Sequence, residues 1–186
     1  MNARIHRLPA ERLSIEAFAP FGLYSGQPAR SADWVASGSR IGGVQEHRGA
    51  SGTLIAELWN LGDLRFGAPP FFGVVRYQHQ GFRVAQLERH TDETQTWIAR
   101  RGTSFVVVAP PSDGPPEPES IRAFVVEPGD CLAIGAGVWM CHFFPLLDEA
   151  DFLVVTARRE PEQDRDLANL LDSHETILEI ALPGRF

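Results

Sequence analysis

Glu88 and His90, two residues apart, and Gln95 just beyond them are the side chains best suited to chemistry in this sequence. Along a strand side chains alternate, so Val84, Gln86, Glu88 and His90 point one way and Arg83, Ala85, Leu87 and Arg89 the other. A carboxylate and an imidazole then share one face. In a partly desolvated cavity such a pair can move protons, with His90 and Glu88 as the catalytic groups, or bind a divalent cation. Gln95, on the following strand, can orient a substrate or coordinate through its amide oxygen, but it cannot transfer a proton. The bland alternative is a solvated sheet face, on which a Glu-x-His pair is common.

A second group lies downstream, where Gly129, Gly135 and Gly137 lead into Val138-Trp139-Met140-Cys141-His142. A thioether is a soft, weak donor that suits Cu(I) better than Mg, Mn or Zn, so Met140 weakens any conventional metal site. His142 falls on the same strand face as Met140 and is a candidate for substrate binding from one position further along. The plainer reading makes Met140 a gap-filling core residue, Cys141 a small buried hydrophobe and His142 a satisfied histidine near a barrel end. Arg122 is a candidate anchor for a substrate carboxylate, or it pairs with an acidic residue on a neighbouring strand. Arg100-Arg101 before Gly102 reads most simply as a solvated turn.

The elements that must hold these residues are mostly strands. Short runs rich in Val, Ile, Phe and Trp occur at 54–58, 71–77, 82–87, 95–99, 104–109, 121–126, 131–134, 138–144 and 152–157, separated by Pro, Gly or Asp turns. That pattern predicts an antiparallel sandwich or barrel with minor helices. Ser14 before Ile15-Glu16-Ala17-Phe18 predicts a short N-capped helix closed by Pro20 and Gly22. Pro161 with Leu167, Leu170 and Leu171 at helical spacing predicts an amphipathic helix, and 177–182 an edge strand or packing tail. The segment 26–52 reads as a loop, and the proline-rich stretch between Ala109 and Ser120 as a long surface loop, because proline cannot donate to a central ladder. No internal repeat is present, and 1–186 reads as a single domain.

Composition narrows the function classes. With 186 residues, 44% of them apolar, the chain can bury a real core. A net charge of -7 with scattered basic residues argues against a nucleic-acid partner, which needs clustered Lys and Arg. No run approaches the ~20 apolar residues of a membrane span, and the first residues lack the apolar core of a secretory signal. Two cysteines, Cys131 and Cys141, are too few for a disulfide framework and suit a reducing cytoplasm. The expectation is a cytoplasmic protein acting on a small molecule.

The order Glu88-x-His90, Gln95, Gly102, then Gly129, Gly135, Gly137 and Val138-Trp139-Met140 reproduces both halves of a cupin-type signature, with Met140 where that motif has its last histidine. The runs Leu87-Glu88-Arg89-His90, Thr94-Gln95, Ser104-Phe105-Val106-Val107-Val108, Ile121-Arg122-Ala123-Phe124, Gly137-Val138-Trp139 and Asp151-Phe152-Leu153-Val154-Val155 resemble the ureidoglycolate lyase family, as does Glu16-Ala17-Phe18-Ala19-Pro20-Phe21-Gly22. The resemblance implies a cupin-like antiparallel β-barrel, usually a homodimer, that splits ureidoglycolate into glyoxylate and urea in purine-nitrogen salvage. It places Glu88, His90 and Gln95 on the site strands and Arg122 on a matching strand. The family continues after the tryptophan with two histidines and a proline, whereas Met140, Cys141 and His142 stand here. The cofactor is left open: a divalent metal, if bound, would take Glu88, His90 and Gln95. Two other readings stand beside this one, a cupin enzyme for another small hydroxy or keto acid and a non-catalytic cupin that binds a small molecule.

Overall fold

The computed structural model describes residues 3–26, 63–157 and 165–182, together with the backbone of 44–48 and 54–59. The chain forms β1 (Arg4–Arg12), α1 (Ile15–Phe18), β2 (Gly22–Ser25), β3 (Val44–Arg48), β4 (Leu54–Trp59), β5 (Pro70–Gln78), β6 (Arg83–Val84), β7 (Gln86–Arg89) and β8 (Gln95–Arg101). It continues with β9 (Ser104–Ala109), β10 (Arg122–Val126), β11 (Cys131–Ile134), β12 (Trp139–Met140), β13 (Phe144–Pro145), β14 (Glu149–Ala157), β15 (Asp166–Asn169), α2 (Leu170–His174) and β16 (Thr176–Ala181). The architecture is all-β with minor helices, as expected of a cupin-like barrel. The larger sheet runs β15-β7-β12-β9-β10-β1-β16-β6, with β13 also on β9, and the smaller runs β2-β11-β8-β14-β5. β3, within the stretch 26–52 read as a loop, pairs antiparallel with β4 just after it; residues 27–43 and 49–52 of that stretch lie outside the described residues.

Two apolar layers account for the sheets. β9 is buried on both sides: Val106 and Val108 face one layer, while Phe105, Val107 and Ala109 face the other. The first layer joins both sheets, with Trp97, Leu132, Phe152 and Val154 from the smaller one packed with Phe124 and Met140 from the larger and Val138 just before β12. It is the barrel interior. Phe143 and Phe152 meet at 4.1 Å between ring centroids there, and each fully buried side chain of this kind contributes about 1.5–3 kcal/mol. The second layer lies behind the larger sheet, where Leu87, Trp139 and Phe105 pack with Leu8, Leu170, Leu178 and Ile180. Both cysteines are unpaired. No helix among the described residues is long and apolar enough to cross a membrane.

Several elements differ from expectation. β1 runs parallel to both β10 and β16, so the larger sheet is mixed rather than antiparallel throughout. The run at 82–87 breaks at Ala85, whose carbonyl accepts from Leu170 N at 2.7 Å instead of continuing a ladder. The run at 138–144 likewise splits into β12 and β13. The predicted C-terminal amphipathic helix is not formed over its described part: Asp166–Asn169 pairs with β7 as β15, and only Leu170–His174 is helical, capped by Asn169 Oδ1 accepting from Leu171 N at 3.0 Å. The strand at 176–181 is internal, lying between β1 and β6, rather than an edge or a tail. The short helix α1 forms as read, with Ser14 Oγ accepting from Ala17 N at 3.0 Å.

Candidate active site

The site is built on β7 and its two neighbours. β12 pairs Met140 with Glu88 and Trp139 with Arg89, while β15 pairs Leu167 with Glu88 and Asp166 with Arg89. Leu87 is buried in the layer behind the sheet and Met140 in the barrel interior, so alternation turns Glu88 inward beside Met140. His90 follows just past the end of β7. Its carbonyl accepts from Gly137 N at 2.6 Å, and Gly137 has φ 81, a left-handed conformation that favours glycine. The turn before β12 is thereby locked to the end of β7.

Beside Glu88 a cavity of ≈ 440 Å³ is lined by Glu88, Met140, His142 and Arg165 together with Leu87 and Cys141 of the layer behind the sheet, among others. Arg165 Nη1 donates to Glu88 Oε2 at 3.3 Å, and the carboxylate side chain keeps 30% of its exposure. The imidazole of His142 stacks on Tyr77, with centroids 6.1 Å apart and an interplanar angle of 18°. His142 is exposed as a whole residue, but partial desolvation of its ring against the neighbouring aromatic side chains lowers its proton affinity below the ordinary histidine value, and the charge of Glu88 opposes that shift. The Tyr77 hydroxyl is pushed up, first by burial and then by Glu88. Burial raises the Cys141 thiol to about 12, opposed by a backbone hydrogen bond at His142 and reinforced by Glu88. That shift disfavours the thiolate at a residue that lines the cavity.

A buried polar network stands beside His90. Glu93, 2% exposed, accepts from Gln95 Nε2 at 3.3 Å, Thr156 Oγ1 at 3.0 Å and the Ala157 amide at 2.7 Å. His90 Nδ1 lies 3.3 Å from Glu93 Oε1, at ion-pair distance but without hydrogen-bond alignment. On the opposite face of β7, Arg89 is spent behind the site: it covers the Trp139 ring at 4.5 Å, pairs with Asp166 at 2.8 Å and donates to the Ser112 carbonyl. Trp139 Nε1 also donates to Ser112 Oγ at 2.9 Å, which pins the proline-rich loop against the back of the site strands.

The sequence candidates are thus sorted into two places. Glu88, Met140 and His142 line the cavity, while His90 and Gln95 are not among its lining residues and meet through Glu93. Arg122 takes the other reading given for it, pairing with an acidic residue on a neighbouring strand: it forms a two-pronged pair with Glu11 of β1, donates to the Ala17 carbonyl at 2.9 Å and lies over Phe124 at 4.8 Å. Its fork is used within the fold, and it is not among the residues lining the cavity. The sequence reading missed Glu93 and Arg165. Glu93 sits three residues after His90 in a stretch with no strand period, and Arg165 reaches Glu88 only because β15 pairs with β7.

The family model described as ureidoglycolate lyase matches residues 5–179. The chain belongs to the ureidoglycolate lyase family. It is similar to the ureidoglycolate lyase of Burkholderia cepacia, at 30% identity over 164 residues covering 86% of this chain and 84% of that protein. With the ureidoglycolate lyase of Azotobacter vinelandii the identity is 38% over 73 residues, covering 39% of this chain and 43% of that protein. Among solved structures, the oxalate decarboxylase of Bacillus subtilis overlaps 55% of this chain and 24% of its own, with TM-score 0.39 and 13% identity. That overlap is too partial to bear on the site. The family assigns the chain to the lyases.

The side chains present do not fit the expected divalent-metal set of Glu88, His90 and Gln95. Among the described residues no three His, Cys, Asp or Glu side chains are grouped as ligands. Glu88 faces a cation and a thioether, and the Gln95 amide nitrogen is turned to Glu93. A hard divalent ion needs converging oxygen and nitrogen donors instead.

Proposed function

We propose that this chain cleaves ureidoglycolate to glyoxylate and urea by acid–base chemistry on the inner face of β7. The observation that carries the reading is Glu88 at a ≈ 440 Å³ cavity, 3.3 Å from Arg165, with His90 two residues further along. The substrate carries a hydroxyl, a ureido nitrogen and a carboxylate around one carbon. His90 takes the hydroxyl proton, the freed pair becomes the aldehyde C=O, and the C–N bond breaks. The proton taken from the hydroxyl is delivered to the departing urea nitrogen, with the Glu88 carboxylate relaying it.

Arg165 receives the substrate carboxylate, for which its planar fork is the right shape. An incoming carboxylate that takes Arg165 releases Glu88 to face the ureido nitrogen. His142 at the rim accepts from the ureido amide, since partial desolvation keeps its imidazole neutral to lower pH, and Gln95 steadies His90 through Glu93. No step is routed through a metal. The reading extends to a cytoplasmic homodimer in allantoin and purine-nitrogen breakdown, which the unpaired cysteines and family membership support. Light scattering then gives twice the 20.6 kDa chain mass.

The test is ureidoglycolate cleavage by the purified protein, with glyoxylate and urea measured separately. Equal amounts of both, above the uncatalysed rate, are expected. No excess over the uncatalysed rate, with and without added Mn or Zn, overturns the reading.

A further inference from the structure

Glu93 is the one carboxylate among the described residues in the buried class, and nothing in the cleavage scheme uses it directly. Burying a carboxylate is costly, and an apolar residue of similar size would serve stability at least as well. Its contacts show what it joins. Gln95 opens β8 and Thr156 and Ala157 close β14, both in the smaller sheet, whereas His90 ends β7 in the larger. Glu93 therefore ties the imidazole carried by one sheet to strand ends of the other.

We infer that Glu93 is a positioning residue for His90, holding the Nδ1 edge of the ring so that Nε2 is presented to the substrate. This rests on the reading of His90 as the base. Gln95 Nε2 and the Ala157 amide can only donate, and the Thr156 hydroxyl does so here, so the carboxylate is furnished as an acceptor. An acceptor facing Nδ1 fixes the hydrogen there and leaves the lone pair on Nε2. His90 Nδ1 is buried without an aligned partner, 3.3 Å from Glu93 Oε1. A modest ring rotation aligns the two, and catalytic hydrogen bonds commonly tighten only when substrate binds. Once Nε2 has taken the hydroxyl proton, the carboxylate sits against the imidazolium and stabilises it.

Glu93→Gln tests this. One of its two terminal atoms becomes an amide donor; the Ala157 backbone amide can only donate and keeps the carbonyl oxygen, while Gln95 and Thr156, which share the other oxygen, can turn an amide oxygen and a hydroxyl lone pair to the new amide nitrogen. The amide nitrogen then faces Nδ1 and asks the ring to accept, which moves the hydrogen to Nε2. Nitrogen-15 NMR of the imidazoles, with His90 assigned by its loss in His90→Gln, reads the tautomer without reference to activity. The expected result is Nδ1–H in the wild type, a shift towards Nε2–H in Glu93→Gln, and return of Nδ1–H in Glu93→Asp. In ureidoglycolate cleavage the expected loss for Glu93→Gln is ~10²-fold or more in kcat with KM little changed. A wild-type ring in the Nε2–H form overturns the inference, as does an unchanged tautomer in folded Glu93→Gln. If the tautomer moves as expected but the wild type cleaves no ureidoglycolate, the positioning role stands and the reaction assignment fails.

Discussion

Glu88 and Glu93 are five residues apart in sequence, and they sit in opposite circumstances. Glu88 borders a cavity and has one cation partner among the described residues, Arg165, on a side chain that is itself 35% exposed. Glu93 is enclosed and is held by two side-chain donors and one backbone donor, with an imidazole beside it. A partner that can be exchanged suits a group that meets a substrate, and fixed partners suit a group that holds another residue still. The contrast separates what turns over from what supports it.

His90 is the proposed base, so its removal gives the largest effect. His90→Ala lowers kcat by ~10²–10⁴ while circular dichroism stays native; unchanged turnover would break the division of roles. Next comes Arg165→Met, which raises KM for ureidoglycolate by ~10–100-fold with a smaller change in kcat, as for a lost charge-assisted contact of about 1.5–3 kcal/mol. An unaltered KM would put the carboxylate anchor elsewhere.

Arg122→Gln sharpens the comparison from outside the site. It removes the pair with Glu11 and costs about 1–2 kcal/mol in denaturant unfolding, with kcat/KM within about twofold of wild type. The sign of its pH dependence follows from Glu11, whose carboxyl is held below its ordinary 4.5 first by the hydrogen bond from Arg122. That stabilisation is present above pH 4.5 and fades as pH falls through the lowered folded value, so the variant and wild type converge in acid. The smallest effect belongs to His142. Its folded proton affinity is depressed by partial desolvation, so the unfolded chain binds the proton more readily and stability declines as pH drops below the ordinary 6.5. His142→Phe should flatten that decline in thermal scans between pH 7 and 5.

Much of the barrel was legible because burial on both faces writes continuous apolar runs, as at Ser104–Ala109 and Cys131–Ile134. β1 and β15 were hidden for the opposite reason: Arg4–Arg12 and Asp166–Asn169 carry mostly polar or exposed side chains and take their form from ladders with distant strands. Alternation put Glu88 opposite Leu87, but Val84, read on the face of Glu88, packs in the layer of Leu87 because the run breaks at Ala85. Gln95 was placed correctly on the next strand, but its partner was not foreseen, since Glu93 lies between strands where no period applies. Arg122 and Arg165 show the limit most clearly. Both are arginines near acidic residues, and only the pairing of β15 with β7 and of β1 with β10 decides which one reaches the cavity.

The parallel ladder between β1 and β16 has a consequence for how the protein is made. Arg4 through Pro9 find their partners in Thr176 through Ala181, and β6, which feeds directly into the site strand, leans on the same late segment through Val84 and Leu178. During synthesis the first strand must wait for residues near 180 to leave the ribosome. The wall behind Glu88 and His90 is therefore among the last parts to close, and a chain stalled before that point exposes two bare strand edges to its neighbours.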